Sequence, residues 1–502
     1  MLVAAGCSSS SSSPSSSGTA ASGTPKRGGT LTVGSLGGAT DSIDPNIEKS
    51  NIDLQRCFNL YDTLTYFPHG TLDIQYGLAE SIELTAGASV ATIRLRSGVT
   101  WHNGKPLTAD DLIYTLNRIL NPKNPGVAAH SISSVNANAM TKLDQQTVRL
   151  TLNYPDAIFP ERFYIPQTSI VPVGYDPANP VGTGPFKFQS FTPGVRSTFV
   201  RNPDYWMSGG PYLDELVVVD FSDNTSQVNA LLSGQVDAID SVPLNNTSPI
   251  QSHSGLKLLA ANGGYYQPIV MRVDTAPYND VKVRQALRLL VDRPQMVSLA
   301  YNNYGAIGND MPCPSDPAFP HSLPQRAQDI AQAKSLLQSA GQSDLHITFT
   351  TANEDYGLIP GAQVFVQNAQ AAGVTVNLNV IPSSVYDPKF TDWAFTQSYY
   401  GNKPAGIMIA LRYIKGGLFN DSRWDDPQTS SLYYDALKES DATQRDEKFQ
   451  SILETMYNTG PDIIHSFRKT VDAYSSNFSG FTPDQATGWS LGQYRYREVW
   501  TA

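Results

Sequence analysis

The residue types that most often do chemistry are thinly spread in this chain. Histidine stands only at positions 69, 102, 130, 253, 321, 346 and 465. With no HxH pair and no HExxH run, no helical face offers two imidazoles to a zinc ion. Cysteine occurs at 7, 57 and 313, so a CxxC pair is absent and a thiolate metal site with it. Cys57 and Cys313 either pair in an oxidising compartment or stay as two buried thiols. Ser-x-x-Lys does not occur with its full set of companion motifs, which removes that short signature of a serine hydrolase. Glycosidase carboxylates stay open, because two such acids need not be close in sequence. Gly182-Thr183-Gly184-Pro185-Phe186 looks like a turn that cradles phosphate. No Lys-Ser/Thr follows it, however, and a proline stands where the helix should begin. Gly182 and Gly184 are instead expected to supply positive φ for a tight connection into a strand at 186–191. What the chain has in quantity is tyrosine, 25 residues. Such amphipathic rings suit walls that bind a solute and tolerate its variation.

A scaffold must hold these groups, and the pattern along the chain indicates its kind. Gly28-Gly29-Thr30-Leu31-Thr32-Val33-Gly34 alternates like a strand. Asp44-Pro45 marks a loop, and a helix is expected at 53–64. Residues 90–97 alternate again, and Asn103-Gly104 signals a tight turn. Trp101 and His102 before that turn read as a core tryptophan and a surface histidine. Thr108, with Asp111 three residues later, has the form of a capping box. It opens a helix whose Leu112, Ile113, Leu116, Ile119 and Leu120 share one face. Arg284 and Asp292 are expected to brace packing from one helical face. Strands and helices mix to the C-terminus without a fixed period, which indicates a mixed α/β protein rather than a barrel or solenoid.

With 502 residues the chain has room for about three domains or large lobes. Hydrophobic residues make up 40% and charged residues 16%, so a core can form and wholesale disorder is excluded. The 35 basic residues are outnumbered by 45 acidic ones, a net charge of −10. No basic run exceeds a pair such as Lys26-Arg27, so the chain is no partner for a nucleic-acid backbone. Apolar runs such as Leu216-Val217-Val218-Val219 fall far short of the roughly 20 residues that cross a bilayer. The front of the chain is different. Residues 8–17 hold nine serines in ten positions, too little apolar surface to offset the entropy of ordering, so a flexible tether is expected. Before it, Met1-Leu2-Val3-Ala4-Ala5-Gly6-Cys7 resembles the tail of a bacterial lipoprotein signal. That resemblance implies lipidation of Cys7 and anchoring to the outer face of the cell membrane. An ordinary secretion-signal remnant is the alternative.

Six motifs, in order, carry a more specific resemblance. Leu78-Ala79-Glu80-Ser81 through Arg118 includes IRLRSGVTWHNGKPLTADDLIYTLNR. Val181-Gly182-Thr183-Gly184-Pro185-Phe186 precedes Arg201-Asn202-Pro203-Asp204-Tyr205-Trp206. Then come Ala230-Leu231-Leu232-Ser233-Gly234-Gln235-Val236-Asp237 and Val283-Arg284-Gln285-Ala286-Leu287 with Asp292-Arg293. Ala333-Lys334-Ser335-Leu336-Leu337-Gln338-Ser339-Ala340-Gly341 closes the series. Together they resemble family 5 of the bacterial extracellular solute-binding proteins, the peptide- and nickel-type receptors of ABC importers.

The resemblance implies a two-lobed type II periplasmic-binding-protein-like fold. After a leader and tether at 1–27, a first lobe would span 28–268 and 478–502, with an extra subdomain at about 78–180. The second lobe would span 269–477. A peptide or similar small oligomer would be enclosed between the lobes and handed to a permease with its ATPase. The family implies no cofactor and no resident metal, and the expected state is a monomer. Ligand contacts are expected from Tyr265, Tyr266 and Gln267 at the lobe crossing, and from Trp393 through Lys403, with Tyr399 and Tyr400 foremost. Asp53, Gln55 and His130 lie where the family's cleft walls come. In peptide-binding members an Asp on the later segment pairs with the ligand's amino terminus; Asn402 or its neighbour stands there in this chain. That departure favours an oligosaccharide or another non-peptide solute as the alternative. A secreted hydrolase is the alternative of a different class.

Overall fold

The computed structural model describes residues 23–48 and 50–502; Cys7 and the serine-rich stretch fall outside the described residues. The first strand is Thr30–Leu36, and its alternation buries Leu31 and Val33. It lies in the centre of an eight-stranded sheet, parallel to Glu215–Phe221 on one side and Ala238–Ile239 on the other. Arg196–Arg201 and Phe186–Thr192 extend one edge antiparallel; Ser466–Ser475 and Leu256–Tyr266 extend the other. Gly305–Ile307 adds a short strand beside Ser466–Ser475. Both of these last segments fall inside the stretch 269–477, yet they are hydrogen-bonded into the large sheet.

A second sheet has five strands. His346–Thr351 and Thr375–Val380 run parallel, joined by the helix Leu358–Gln370, the handed crossover that parallel pairing requires. Phe395–Gln397, Ile269–Met271 and Asp462–Ile463 complete it. A third sheet of four strands, Ala79–Thr85, Val90–Leu95, Thr147–Leu152 and Val135–Lys142, sits within residues 78–180. Helix Ala109–Ile119 covers one face of it, with Leu112, Leu116 and Ile119 buried among Ile93, Val148 and Leu150. Each such side chain contributes roughly 2 kcal/mol of burial. The capping box at this helix is present: Asp111 accepts from the Thr108 backbone N–H at 2.9 Å and from its hydroxyl at 3.1 Å.

Four local expectations need correcting. The first helix is Asn51–Leu60, not 53–64, because Ser50 caps it by accepting from the Asp53 N–H, and Tyr61 turns extended. Gly182 and Gly184 do not have positive φ. Their role is close approach: a Cβ on Gly182 would lie 1.8 Å from the Leu60 carbonyl oxygen, and one on Gly184 2.5 Å from the Leu60 carbonyl carbon. His102 is not a surface residue. Its Nδ1 accepts from the Gly182 N–H and its Nε2–H donates to the Gly184 carbonyl, while burial drops its pKa to about 4. Trp101 is buried as expected. Arg284 and Asp292 belong to different helices, Val281–Leu289 and Arg293–Ala300. Asp292 caps the second, and Arg284 donates to the carbonyls of Tyr278 and Thr459. Cys57 and Cys313 are free, buried thiols.

Candidate functional site

The two larger sheets are joined by two very short crossings. Leu256–Tyr266 leads into Ile269–Met271 through Gln267-Pro268 alone, and Asp462–Ile463 leads into Ser466–Ser475 through Ile464-His465. The residues singled out in the sequence at 265–267 sit on the first of these. Because side chains alternate along extended backbone, they divide between two faces. Tyr265 and Gln267 point to one face and meet Asp355: the Tyr265 hydroxyl donates to it at 2.6 Å and Gln267 Nε2 at 2.8 Å. Tyr301 donates to Gln267 Oε1 at 2.9 Å, and Arg468 lies 4.5 Å over the Tyr265 ring and 3.3 Å from Asp355. Tyr399 lies beside this acidic face, where Glu354, Asp355 and Asp387 add to burial in raising its hydroxyl pKa. Its ring is 46% exposed.

Tyr266 points the other way into a core with Tyr400, Phe467 and Met408. Their backbones pair, Tyr266 N–H to Tyr400 carbonyl at 3.0 Å and the reverse at 2.9 Å. Tyr400 is tied into a buried ionic network: its ring lies 4.1 Å from the Arg412 guanidinium and its hydroxyl donates to Asp421 at 2.8 Å. Arg412 is completely buried and pairs with Asp421 at 2.7 Å and Asp462 at 2.5 Å. Tyr413 donates to Asp462 at 2.6 Å. Such a network holds only while every member is present.

Beyond Tyr266, several segments close upon each other. Gly264, at φ +71°, packs so tightly that a Cβ there would lie 2.9 Å from Asn402 and 3.0 Å from Pro314. Asn402 is 1% exposed and donates from Nδ2 to the Ala486 carbonyl at 2.5 Å, while its Oδ1 has no partner. The loop carrying Ala486 is shaped by Asp484, which accepts from the N–H groups of Ala486 and Trp489, both at 3.1 Å. Trp489 stacks on Tyr164 at 5.8 Å and meets Phe58 edge-on at 4.9 Å. The buried Tyr164 hydroxyl also has no partner. After Trp489 the chain takes four successive left-handed residues, Leu491, Gly492, Gln493 and Tyr494. For the three that are not glycine this costs about 1–2 kcal/mol each. Asp472 holds the turn by accepting from the Leu491 N–H at 2.6 Å.

The remaining sequence candidates are not brought to this seam. Asp53 is occupied by Arg56 at 3.0 Å and by the Ser42 N–H at 2.9 Å. Gln55 is fully buried on the same helix, with neither amide atom bonded. His130 follows a short helical turn in the four-stranded region; burial, then Arg162, lower its pKa, and among the described residues it joins no group of three metal-ligating side chains. Trp393 stacks on Tyr386 at 6.2 Å and 13°. The sequence did not single out Tyr164, Asp355, Arg468 or Trp489. Only aromatic content pointed toward the first and last, and nothing local marked the ion pair.

Comparison with known proteins places this geometry. The model of "Bacterial extracellular solute-binding proteins, family 5 Middle" matches residues 73–407. Among curated proteins, Heme-binding protein A of Haemophilus influenzae is 28% identical over 312 residues, and the match spans 56% of this chain and 56% of that protein. Di/tripeptide-binding protein 1 of Pseudomonas aeruginosa is 24% identical over 461 residues, covering 82% of this chain and 85% of the relative. Among solved structures, the periplasmic binding protein AgaA of A. tumefaciens, in complex with agropinic acid, superposes with a TM-score of 0.79. It is 25% identical, and the alignment covers 94% of this chain and 99% of AgaA. The ABC transporter substrate-binding protein CtaP of Listeria monocytogenes is 22% identical with a TM-score of 0.82, covering 95% of this chain and all of CtaP (100%). The shared fold is the two-lobed type II architecture of periplasmic binding proteins.

Proposed function

Because the chain belongs to the bacterial extracellular solute-binding proteins of family 5, it is an extracytoplasmic substrate-binding component of an ABC importer, and we propose that its solute is a peptide or similar small oligomer. The observation that carries this reading is the seam itself. Aromatic rings and unpartnered, buried polar atoms from separate elements converge beside crossings of two residues each. We divide the molecule into a first lobe built on the large sheet, with the four-stranded region as its subdomain, and a second built on the five-stranded sheet. Contacts from both lobes exist together only when the lobes are closed, so a solute that makes them shifts the population toward closure. A micromolar solute supplies about 8 kcal/mol for this. The closed shape is what the permease would recognise. Tyr265, Tyr399 and the stacked pair Tyr164 and Trp489 are the wall residues of this reading. Tyr266 and Tyr400 support them from the core.

Anchoring through a lipid on Cys7 and a monomeric state belong to the same proposal. The mechanism needs no covalent step, so incubation with peptides or glycosides should yield no products. One observation favours a second reading, a non-peptide solute. By the family resemblance, Asn402 or its neighbour stands where peptide-binding members carry an Asp, and the Asn402 amide already donates to Ala486. A buried ammonium left without a carboxylate costs several kcal/mol. The test is a thermal-shift and X-ray scattering series on the full chain with a tripeptide set and with maltotriose. A binding solute should stabilise by RT ln(1 + [L]/Kd), about 2.7 kcal/mol at a hundredfold excess over Kd, and contract the scattering envelope. An unchanged envelope with a stabilising solute rejects closure, and product formation rejects the receptor reading.

A further inference from the structure

The loop after strand Thr147–Leu152 leaves the four-stranded region and meets a group of three helices. On its own side the loop is firmly built. Asn153 N–H donates to the Ser134 carbonyl at 2.8 Å and Asp156 N–H to the Ala88 carbonyl at 2.9 Å. Asp156 also accepts from the Ser134 hydroxyl at 2.7 Å and pairs with Arg162 through two bonds of 3.1 Å. The helices are Ala405–Arg412, Pro427–Ala436 and Ala442–Thr459. The last is tied to Val281–Leu289 by Arg288, which donates to the Met456 carbonyl at 3.0 Å. Leu287 of that helix is buried with Ile269 and Phe395 of the five-stranded sheet.

Several contacts cross from the loop to the helices. Ala157 N–H donates to the Leu437 carbonyl at 2.8 Å, Arg162 Nη2 donates to the Tyr433 hydroxyl at 3.3 Å, and the Tyr154 and Tyr434 rings meet edge-on at 6.5 Å. Ile158, 1% exposed, enters the apolar cluster of Met408, Tyr433 and Phe449. Gly406 admits it: a Cβ there would lie 2.8 Å from both Ile158 Cδ1 and Phe449 Cζ. These contacts share a property that the Arg412 network lacks, since they can part without stranding a charge. Arg162 keeps Asp156 if Tyr433 leaves, and the Ala157 N–H and the Leu437 carbonyl can turn to water. Only apolar surface, chiefly that of Ile158, is lost to solvent. Breaking the Arg412 pairs would instead leave buried carboxylates unmatched. Between bodies joined through short crossings, opening costs least where the contacts are of this separable kind.

We propose that this contact is a latch that parts when the lobes open and re-forms when they close. Ile158 and Tyr433 are then positioning residues, which set solute affinity by holding the closed state rather than by touching the solute. This rests on the reading of the molecule as two lobes that close on a solute, and goes beyond it by assigning part of the closing free energy to contacts within the protein itself. A chain without the apolar plug at 158 would hold the same solute less tightly with every wall residue intact.

The experiment uses the full chain, freed of any bound solute by unfolding in urea and refolding. Ile158→Cys serves as a thiol reporter, labelled with a maleimide and read by peptide mass spectrometry. Val173→Cys, at a site 59% exposed, is the open control. The thiol at 158 should react within about a hundredfold of that control, and slower reaction means permanent docking and overturns the latch. Wild type gives a second judgement without any substitution. Its Ala157 amide should exchange hydrogen as fast as an unbonded loop amide, and protection matching that of the central strand Thr30–Leu36 overturns the latch. The probes for binding are trialanine and maltotriose. Ile158→Ala should weaken binding about tenfold and Tyr433→Phe about threefold, while the solute-free melting temperature of each stays within about 1 °C of wild type. Unchanged affinity in both variants, or a melting temperature that falls by several degrees, overturns the latch while leaving the receptor reading intact. If neither probe binds wild type, the oligomer reading of the solute fails, and labelling and exchange still decide the latch.

Discussion

Neighbouring tyrosines at 399 and 400 illustrate how one register position decides the role of a side chain. Tyr399 is half in solvent beside Asp355, whereas Tyr400 covers Arg412 and donates to Asp421. Tyr399→Ala should therefore leave the melting temperature within about 1 °C and weaken solute binding, as read by calorimetry. Tyr400→Ala should leave buried charges short of a partner and cost about 3–5 kcal/mol in urea unfolding. Asp472 gives a second residue-level test. Burial raises it to about 7 despite the N–H groups of Leu491 and Ser241, and nearby Asp240 adds to the rise. The folded state thus holds a proton between the unfolded carboxylate value and about 7 that the unfolded chain has lost. Stability from this group is full at low pH and declines as pH rises through that window, by at most about 1.4 kcal/mol per pH unit. Asp472→Asn removes the slope, so its melting temperature relative to wild type should climb between pH 4 and 7 and then level off. A flat difference would show that Asp472 ionises normally.

At the scale of elements, the sequence was informative where a local rule sufficed. The alternation at Thr30–Leu36, the capping box at Thr108 and the strand Phe186–Thr192 all follow from spacing and turn chemistry. The first helix starts earlier than its apolar pattern suggests because Ser50, an ordinary polar residue by composition, happens to cap it. Gly182 and Gly184 were legible as special but not as to why. Positive φ is written in local sequence, whereas a backbone passing within 1.8 Å of a missing Cβ is a tertiary fact. Gly182→Ala should accordingly destabilise by about 2 kcal/mol or more, measured by urea unfolding. A cost below 0.5 kcal/mol would mean that the Leu60 carbonyl can move aside. The seam was the least legible part. Tyr164, Gly264, Asn402 and Trp489 come from four distant stretches and acquire meaning only when the crossings bring them together.

On the scale of the whole molecule, the strands gather into two large sheets and a four-stranded one, but they are not apportioned simply by chain position. Ser466–Ser475 returns to the large sheet before the last turn of chain is reached, and Gly305–Ile307 reaches across to join it. The expected contraction with solute, checked by X-ray scattering, tests this arrangement as a mechanical unit. The dipeptides Gln267-Pro268 and Ile464-His465 carry a consequence for anyone who wishes to watch the protein work. So few rotatable bonds, one of them frozen in a pyrrolidine ring, leave little slack for wobble or shear between the bodies. A donor and an acceptor dye attached one to each body would then report capture as a single, well-defined jump in energy transfer, with no drift between, making the chain a ready-made optical sensor for its own cargo.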